Sequence, residues 1–212
     1  MVRQSLSLDL PRWTNLWARL GARDSGRSTF NQLAAAYAEP ARAYHNDQHL
    51  QDCLSELDRN RALARHTDEV EAALWFHDAI YDPRSSDNEA RSARLAETAL
   101  TTHGVPLESI RHVAALVLAT RHLAPADDGD AQLVCDIDLS ILGSAPPKFD
   151  EFERLIRREY EWVPHPIYRS SRATVLIGFL RRSSIYQCAP FVNQYEQQAR
   201  QNLERAVAGL TA

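Results

Sequence analysis

The chain reads as an all-α protein, a helical bundle of roughly eight or nine helices, and three observations carry that reading. Apolar residues recur at helical spacing along most of its length. No segment alternates with period two over the length of a strand. Only 7 glycines occur in 212 residues, too few for the turns of an all-β fold. Taken in order, Trp13, Leu16, Trp17 and Leu20 form a first stripe that Gly21 can close as a C-terminal cap. Leu50, Cys53, Leu54 and Leu57 form the next, and Val70, Ala73, Leu74 and His77 repeat it. Ile110, Val113, Ala114, Val117 and Leu118 give a further helix, as do Phe149, Phe152, Leu155 and Ile156. A C-terminal helix over 190–210 carries Phe191, Tyr195, Ala199 and Leu203. Breaks are expected at Asp82-Pro83, at Gly104 with Pro106, between Pro125 and Gly129, at Pro146-Pro147 and between Pro164 and Pro166. None is long or biased enough to be a linker, so the expectation is a single domain over 1–212.

The bulk numbers exclude several classes. Apolar content of 44% and charged content of 25% are ordinary for a soluble globular chain. A net charge of -4 and a pI near 6.1 give no global attraction to nucleic acid or to an anionic membrane. Cys53, Cys135 and Cys188 are widely spaced and odd in number, which speaks against a disulfide framework or a cysteine zinc site and for buried small side chains. Residues 1–10 lack the apolar core of a signal peptide, and no apolar run approaches the ~18 residues of a membrane span. A cytoplasmic protein is the expectation.

The chemistry is concentrated in the stretch Tyr44-His45-Asn46-Asp47-Gln48-His49, in His77-Asp78, and in Asp136-Ile137-Asp138. Imidazoles and carboxylates hold divalent metals, and a bound metal turns water into a nucleophile near neutral pH. His45 and His49, four apart, are expected on one helical face, with His49 bordering the Leu50 stripe. His77 takes the inward i+7 place of the Val70 stripe, and Asp78 follows it. Asp136 and Asp138 interrupt an apolar run. A carboxylate facing a core is costly unless paired or coordinated, and one metal accounts for all these groups together. The HxxxH spacing also occurs in zinc proteases, but there a Glu follows the first His, and here it is Asn46.

This constellation resembles the HD superfamily of metal-dependent phosphohydrolases, whose members carry H…HD…D on an all-α bundle. The closer likeness is to small bacterial HD proteins sharing Tyr44 to His49, Trp75 to Asp82 and Asp136 to Gly143; it runs over about 12–187 and implies the domain core there. The resemblance implies His49, His77, Asp78 and Asp138 as metal ligands, with Asp136 in a supporting position or as the alternative ligand. The opening YHNxxH segment is also similar to that of cyclic nucleotide phosphodiesterases, which implies His45 as general acid. The chain is much shorter than those enzymes and has no locatable purine-binding glutamine. Glu89 opens a helix, where Ser86-x-x-Glu89 reads as a capping box; related hydrolases imply a second role, orienting or deprotonating the attacking water. His122 is a candidate for substrate contact or a second metal. Arg121, Arg158 and Arg172 are candidates for gripping phosphate, since a guanidinium matches phosphate in a bidentate fork. His66, His103, His112 and His165 show no partner pattern and read as structural.

The expected activity is hydrolysis of a phosphoester, with a small nucleotide or nucleotide-like substrate and one divalent ion (Mn, Fe, Zn, Co, Ni or Mg), or two if His122 joins. The rivals are a non-catalytic nucleotide- or metal-binding module and a di-iron oxygenase of the HD type, the latter needing extra ligands from His122 and His103. Neither nucleic acid nor membrane is an expected partner, and the oligomeric state is not legible.

Overall fold

The structure, a computed structural model, describes residues 8–212, so the expectation drawn from the first ten residues lies largely outside it. Among the described residues the secondary structure is helical, with no strand and ten α-helices where eight or nine were expected. The backbone gathers into two compact units, Met1–Val134 and Cys135–Ala212, whose boundary falls inside one helix.

The first unit holds α1 (Leu10–Arg19), α2 (Arg27–Tyr37), α3 (Asp47–Asn60), α4 (Thr67–Phe76), α5 (Asn88–Thr102), α6 (Leu107–Ala119) and the start of α7 (Gly129–Asp138). At its centre lies α4, packed against α1, α3, α5 and α6. Its residues Val70 to Phe76 are buried on every side, as suits a helix that is apolar almost all round. The exception is Glu71, 1% exposed, which accepts from Arg12 Nε at 2.6 Å, Arg19 Nη2 at 3.1 Å and Arg61 Nη2 at 3.1 Å. Three guanidiniums around one carboxylate compensate its desolvation and tie α1 and the end of α3 to α4. Over α4 lies an aromatic cluster in which Trp13 stacks on Trp17 at 4.3 Å and meets Trp75 edge-on at 5.2 Å.

The expected stripes are buried except at Leu118, Leu155 and Tyr195, the last two half-buried. Leu118 is 40% exposed, and Leu116 instead is buried. Gly21 closes α1 as expected: it takes φ +79, donates to Ala18 O, and Ala22 donates to Trp17 O, the Schellman arrangement. Gly26, before α2, has φ +58, and a Cβ there would lie 2.4 Å from Trp17 Nε1, so both backbone and packing require glycine. The proline pairs mark helix starts: Pro146 and Pro147 open α8, and Pro166 lies in the first turn of α9.

The second unit continues α7 into a 3-10 segment, Leu139–Gly143, followed by α8 (Pro146–Glu159), α9 (His165–Leu180) and α10 (Ala189–Thr211). The long α10 packs on α9 and on the 3-10 segment. Buried Asn202 donates to Leu142 O and Ser144 O, satisfying carbonyls where the 3-10 segment ends. No helix among the described residues is long and apolar enough to cross a membrane.

Candidate metal centre

His49 and His77 come together at the centre of the first unit. Asn46 caps α3, its Oδ1 accepting from the backbone N–H of Gln48 at 2.9 Å and of His49 at 3.4 Å. That cap starts the helix at Asp47 and turns His49 inward, where it is 4% exposed. His77, 1% exposed, directly follows the last residue of α4 and keeps helical dihedrals. α4 therefore ends well before Pro83, and Asp78 stands in the turn beyond it.

Three ligand-type atoms converge. His49 Nε2 lies 3.0 Å from His77 Nε2 and 3.5 Å from Asp78 Oδ2, and His77 Nε2 lies 3.1 Å from Asp78 Oδ2. His77 Nδ1 is 2.8 Å from Leu74 O, a contact that requires the proton on Nδ1 and so turns the Nε2 lone pair toward the cluster. Asp78 Oδ2 is shut off from solvent and makes no well-formed hydrogen bond; its near polar neighbours are the two imidazoles. Burial acts to raise this carboxyl's pKa, but the charges of His77, His45 and His49 outweigh it and hold the group below the usual carboxylate range. Bonds of about 2.1 Å to one shared ion place ligand atoms roughly 3.0 Å apart at right angles and ~3.4 Å apart at the tetrahedral angle. The observed separations match that span, and an ion there would also satisfy Asp78 Oδ2. The residues fit a divalent metal.

Cys53, one turn after His49 on α3, belongs to the same group. Its Sγ is 3.8 Å from either ring nitrogen of His49, and ligand atoms of His49, Cys53 and His77 lie within 4.8 Å of one another. Its burial agrees with the sequence; its place at the centre was missed, though its i+4 spacing from His49 was a usable signal.

His45 corrects a sequence expectation. It does not share a helical face with His49, because α3 begins only at Asp47 and His45 sits in the preceding turn. Its ring stacks on Tyr81 at 4.2 Å and meets His49 edge-on at 5.9 Å. The capping-box reading of Ser86 and Glu89 fails as well: the residue before α5 is Asp87, and no side chain caps the helix. The loop after His77-Asp78 is held by α5 in another way. Asn88 accepts from Asp82 N at 3.0 Å and donates to Asp82 O at 2.8 Å, while Ser92 Oγ accepts from Ile80 N at 3.0 Å. Glu89 stands half-buried beside them in the first turn of α5. Among the described residues, neither Glu89 nor His122 enters a group tight enough to hold an ion. His122 takes φ +53 in the turn after α6.

Arg42 was missed altogether. It is 4% exposed, and its guanidinium donates to Asp78 O at 2.5 Å, Ala79 O at 3.1 Å and His45 O at 3.3 Å. It lies near the rings of Tyr37 and Tyr81, 5.4 and 5.7 Å from their centroids. One cation thus joins the turn carrying His45 to the turn carrying Asp78. Besides the local Glu39 and His45 O, its partners are the carbonyls of Asp78 and Ala79, 36 and 37 residues on, which no pattern between Pro40 and Asn46 announces.

In the second unit the two late aspartates differ. Asp136 is 1% exposed and accepts from the backbone N–H of Gln187 at 2.9 Å and of Cys188 at 2.6 Å. Burial pushes its pKa up to about 6 against the pull of those two donors. It anchors the segment that leads into α10. Asp138, two residues on, is half-buried at the end of α7. Arg172, expected to be open to phosphate, is instead paired with Glu153 at 2.5 Å and lies over Phe152. Arg121 and Arg158 are exposed.

The remaining histidines are less isolated than their sequence context suggests. His103 is 2.7 Å from Asp24 and 3.2 Å from Thr29 Oγ1, and it meets Trp17 edge-on. Both ring nitrogens of His103 thus already have partners. His66 and His112 each pair with a carboxylate. Comparisons of the chain with protein-family models, curated proteins and solved structures return no match.

Proposed function

We propose that this protein is a metal-dependent hydrolase acting on a phosphoester, with a nucleotide or a similar small phosphorylated molecule as substrate. The observation that carries the proposal is the convergence of His49 Nε2, His77 Nε2 and Asp78 Oδ2 within 3.0 to 3.5 Å, with the carboxylate oxygen buried and lacking a hydrogen bond. A divalent ion held there would polarise a phosphoryl oxygen and lower the pKa of a bound water. His49, His77 and Asp78 bind it, and the bond from His77 Nδ1 to Leu74 O keeps that imidazole in its ligating form.

His45 supplies the proton to the leaving oxygen. The stack on Tyr81 and the Arg42 contact to its carbonyl position it beside the ligands. Arg121 and Arg158 are the remaining candidates for neutralising the phosphate, and Glu89 for orienting water. Fourth-ligand status for Asp138 rests on the sequence motif. Asp138→Ala is expected to lower bound metal with little change in the stability of metal-free protein. Asp136→Ala is expected to keep its metal and to cost about 1–3 kcal/mol of stability, because two partly buried N–H groups lose their acceptor. Metal content by mass spectrometry and denaturant midpoints separate the two, and the reverse order would reassign the ligand.

The test of the function is metal analysis of purified protein, followed by phosphate release from nucleotides and simple phosphomonoesters with each divalent ion in turn. Bound metal without turnover on any ester would favour the rival reading, a metal- or nucleotide-binding module.

A further inference from the structure

A second group of metal-ligating side chains lies in the first unit, assembled from the start of α4, the middle of α6 and the start of α7. Its members are His66, Glu69, His112, Asp128 and Asp130. Ligand atoms of His66, Glu69 and His112 lie within 4.8 Å of one another, and so do those of His112, Asp128 and Asp130.

The two imidazoles are held in the same way. His66 Nδ1 lies 2.9 Å from Asp130 Oδ2, and His112 Nδ1 lies 2.5 Å from Glu69 Oε2. A carboxylate on Nδ1 keeps the proton there and leaves the Nε2 lone pair for another partner, the outer-shell pattern of metal-bound histidines. The rings meet edge-on at 5.0 Å. A third carboxylate faces His112, with Asp128 Oδ2 3.8 Å from its Nε2. Asp130 is built in firmly: it is 1% exposed and also accepts from the backbone N–H of Arg65 at 2.7 Å and of His66 at 3.0 Å. Asp128 in turn accepts from the backbone N–H of Asp130 and Ala131, which orients it. The side chains of His66 and Asp128 are 59% and 51% exposed, so an ion can enter from solvent.

We propose that His66, His112 and Asp128 bind a borderline transition-metal dication such as Zn²⁺, with Asp130 and Glu69 orienting the two imidazoles. Two neutral imidazoles and a carboxylate suit Zn²⁺, Ni²⁺ or Cu²⁺ over Mg²⁺ or Ca²⁺. Three carboxylates in one small region also give it the negative field that draws a cation. Such an ion ties α4, α6 and α7 together at an edge of the unit remote in sequence from His49 and His77.

The test is calorimetric titration of metal-stripped protein with Zn²⁺, read as the number of equivalents bound at micromolar or tighter affinity. His66→Gln/His112→Gln is expected to bind one equivalent fewer than wild type. Asp128→Asn changes an exposed side chain, and it is expected to weaken that same equivalent at least ~10-fold. Circular dichroism checks that each variant keeps its helices; should the double variant unfold, the Asp128→Asn result decides alone. Equal stoichiometry and affinity in wild type and variants would overturn the site. Because the equivalent at stake depends on His66 and His112 and not on His77, the result is separable from the fate of the hydrolase reading.

Discussion

His77→Ala protein is expected to purify without the divalent ion found in wild type and to release no phosphate from any ester that wild type hydrolyses. The substitution removes the imidazole whose Nε2 is 3.0 Å from His49 and 3.1 Å from Asp78. His49 on α3 and Asp78 in its turn lose the donor that lies between them, and the site no longer closes around an ion. The loss shows in stability as well as turnover. An ion that binds the folded state at a hundred times its dissociation constant stabilises by about 2.7 kcal/mol. Wild type should therefore melt higher when metal is added, and His77→Ala should not respond. Asp78→Asn keeps the shape but removes the charge; it is expected to show the same loss of response. Full metal content and an undiminished melting shift in both variants would remove His77 and Asp78 from the centre.

His45→Ala is expected to retain metal and fold yet lose about 10²- to 10⁴-fold in turnover on an ester with a poor leaving group, the usual contribution of a general acid. On p-nitrophenyl phosphate, whose leaving oxygen needs little protonation, the loss should be far smaller. The contrast is the diagnostic part, because a merely structural His45 would depress both substrates alike. The stack on Tyr81 gives a further check: Tyr81→Leu removes the ring that holds the imidazole and should reproduce part of the same pattern, larger on the poor leaving group. Equal losses on both esters would reject the proton-donor role, and loss of metal in His45→Ala would make His45 a ligand.

Much of this molecule is legible in one dimension because its determinants are local. The period of 3.6 in the apolar residues reports helices directly, and the Leu50, Val70 and Phe149 stripes lie buried where that period places them, with half-buried Leu155 the exception. Gly21 and the proline pairs mark helix ends because φ and a missing N–H act at a single residue. The pairing of His49 with His77 was legible for the same reason, since each sits at a defined place relative to an inward stripe.

Where expectation and structure part, the deciding contact is distant in sequence or turns on a single helix boundary. His45 and His49 have helical spacing, but the Asn46 cap starts α3 between them, so spacing alone put His45 on the wrong element. Ser86 and Glu89 spell a capping box, yet the loop closes on Asn88 and Ser92 through backbone groups that no local pattern announces. Leu118 falls in phase with its stripe and still faces solvent, because phase does not say where the neighbouring helices stop.

By itself the sequence determined the helical class, the order of most helices, and the candidacy of His49 and His77 as residues able to hold a metal. The tertiary structure decided which residues meet. It joined His49, Cys53, His77 and Asp78 and consumed Asp136 on backbone N–H groups. It also set Arg42 as the bridge between two turns, and it gathered His66, Glu69, His112, Asp128 and Asp130 from three segments. The physical reason is range. Propensity, periodicity and capping act over a turn or two of helix, whereas a buried carboxylate or guanidinium is satisfied by whatever polar group the folded chain brings within about 3 Å of it.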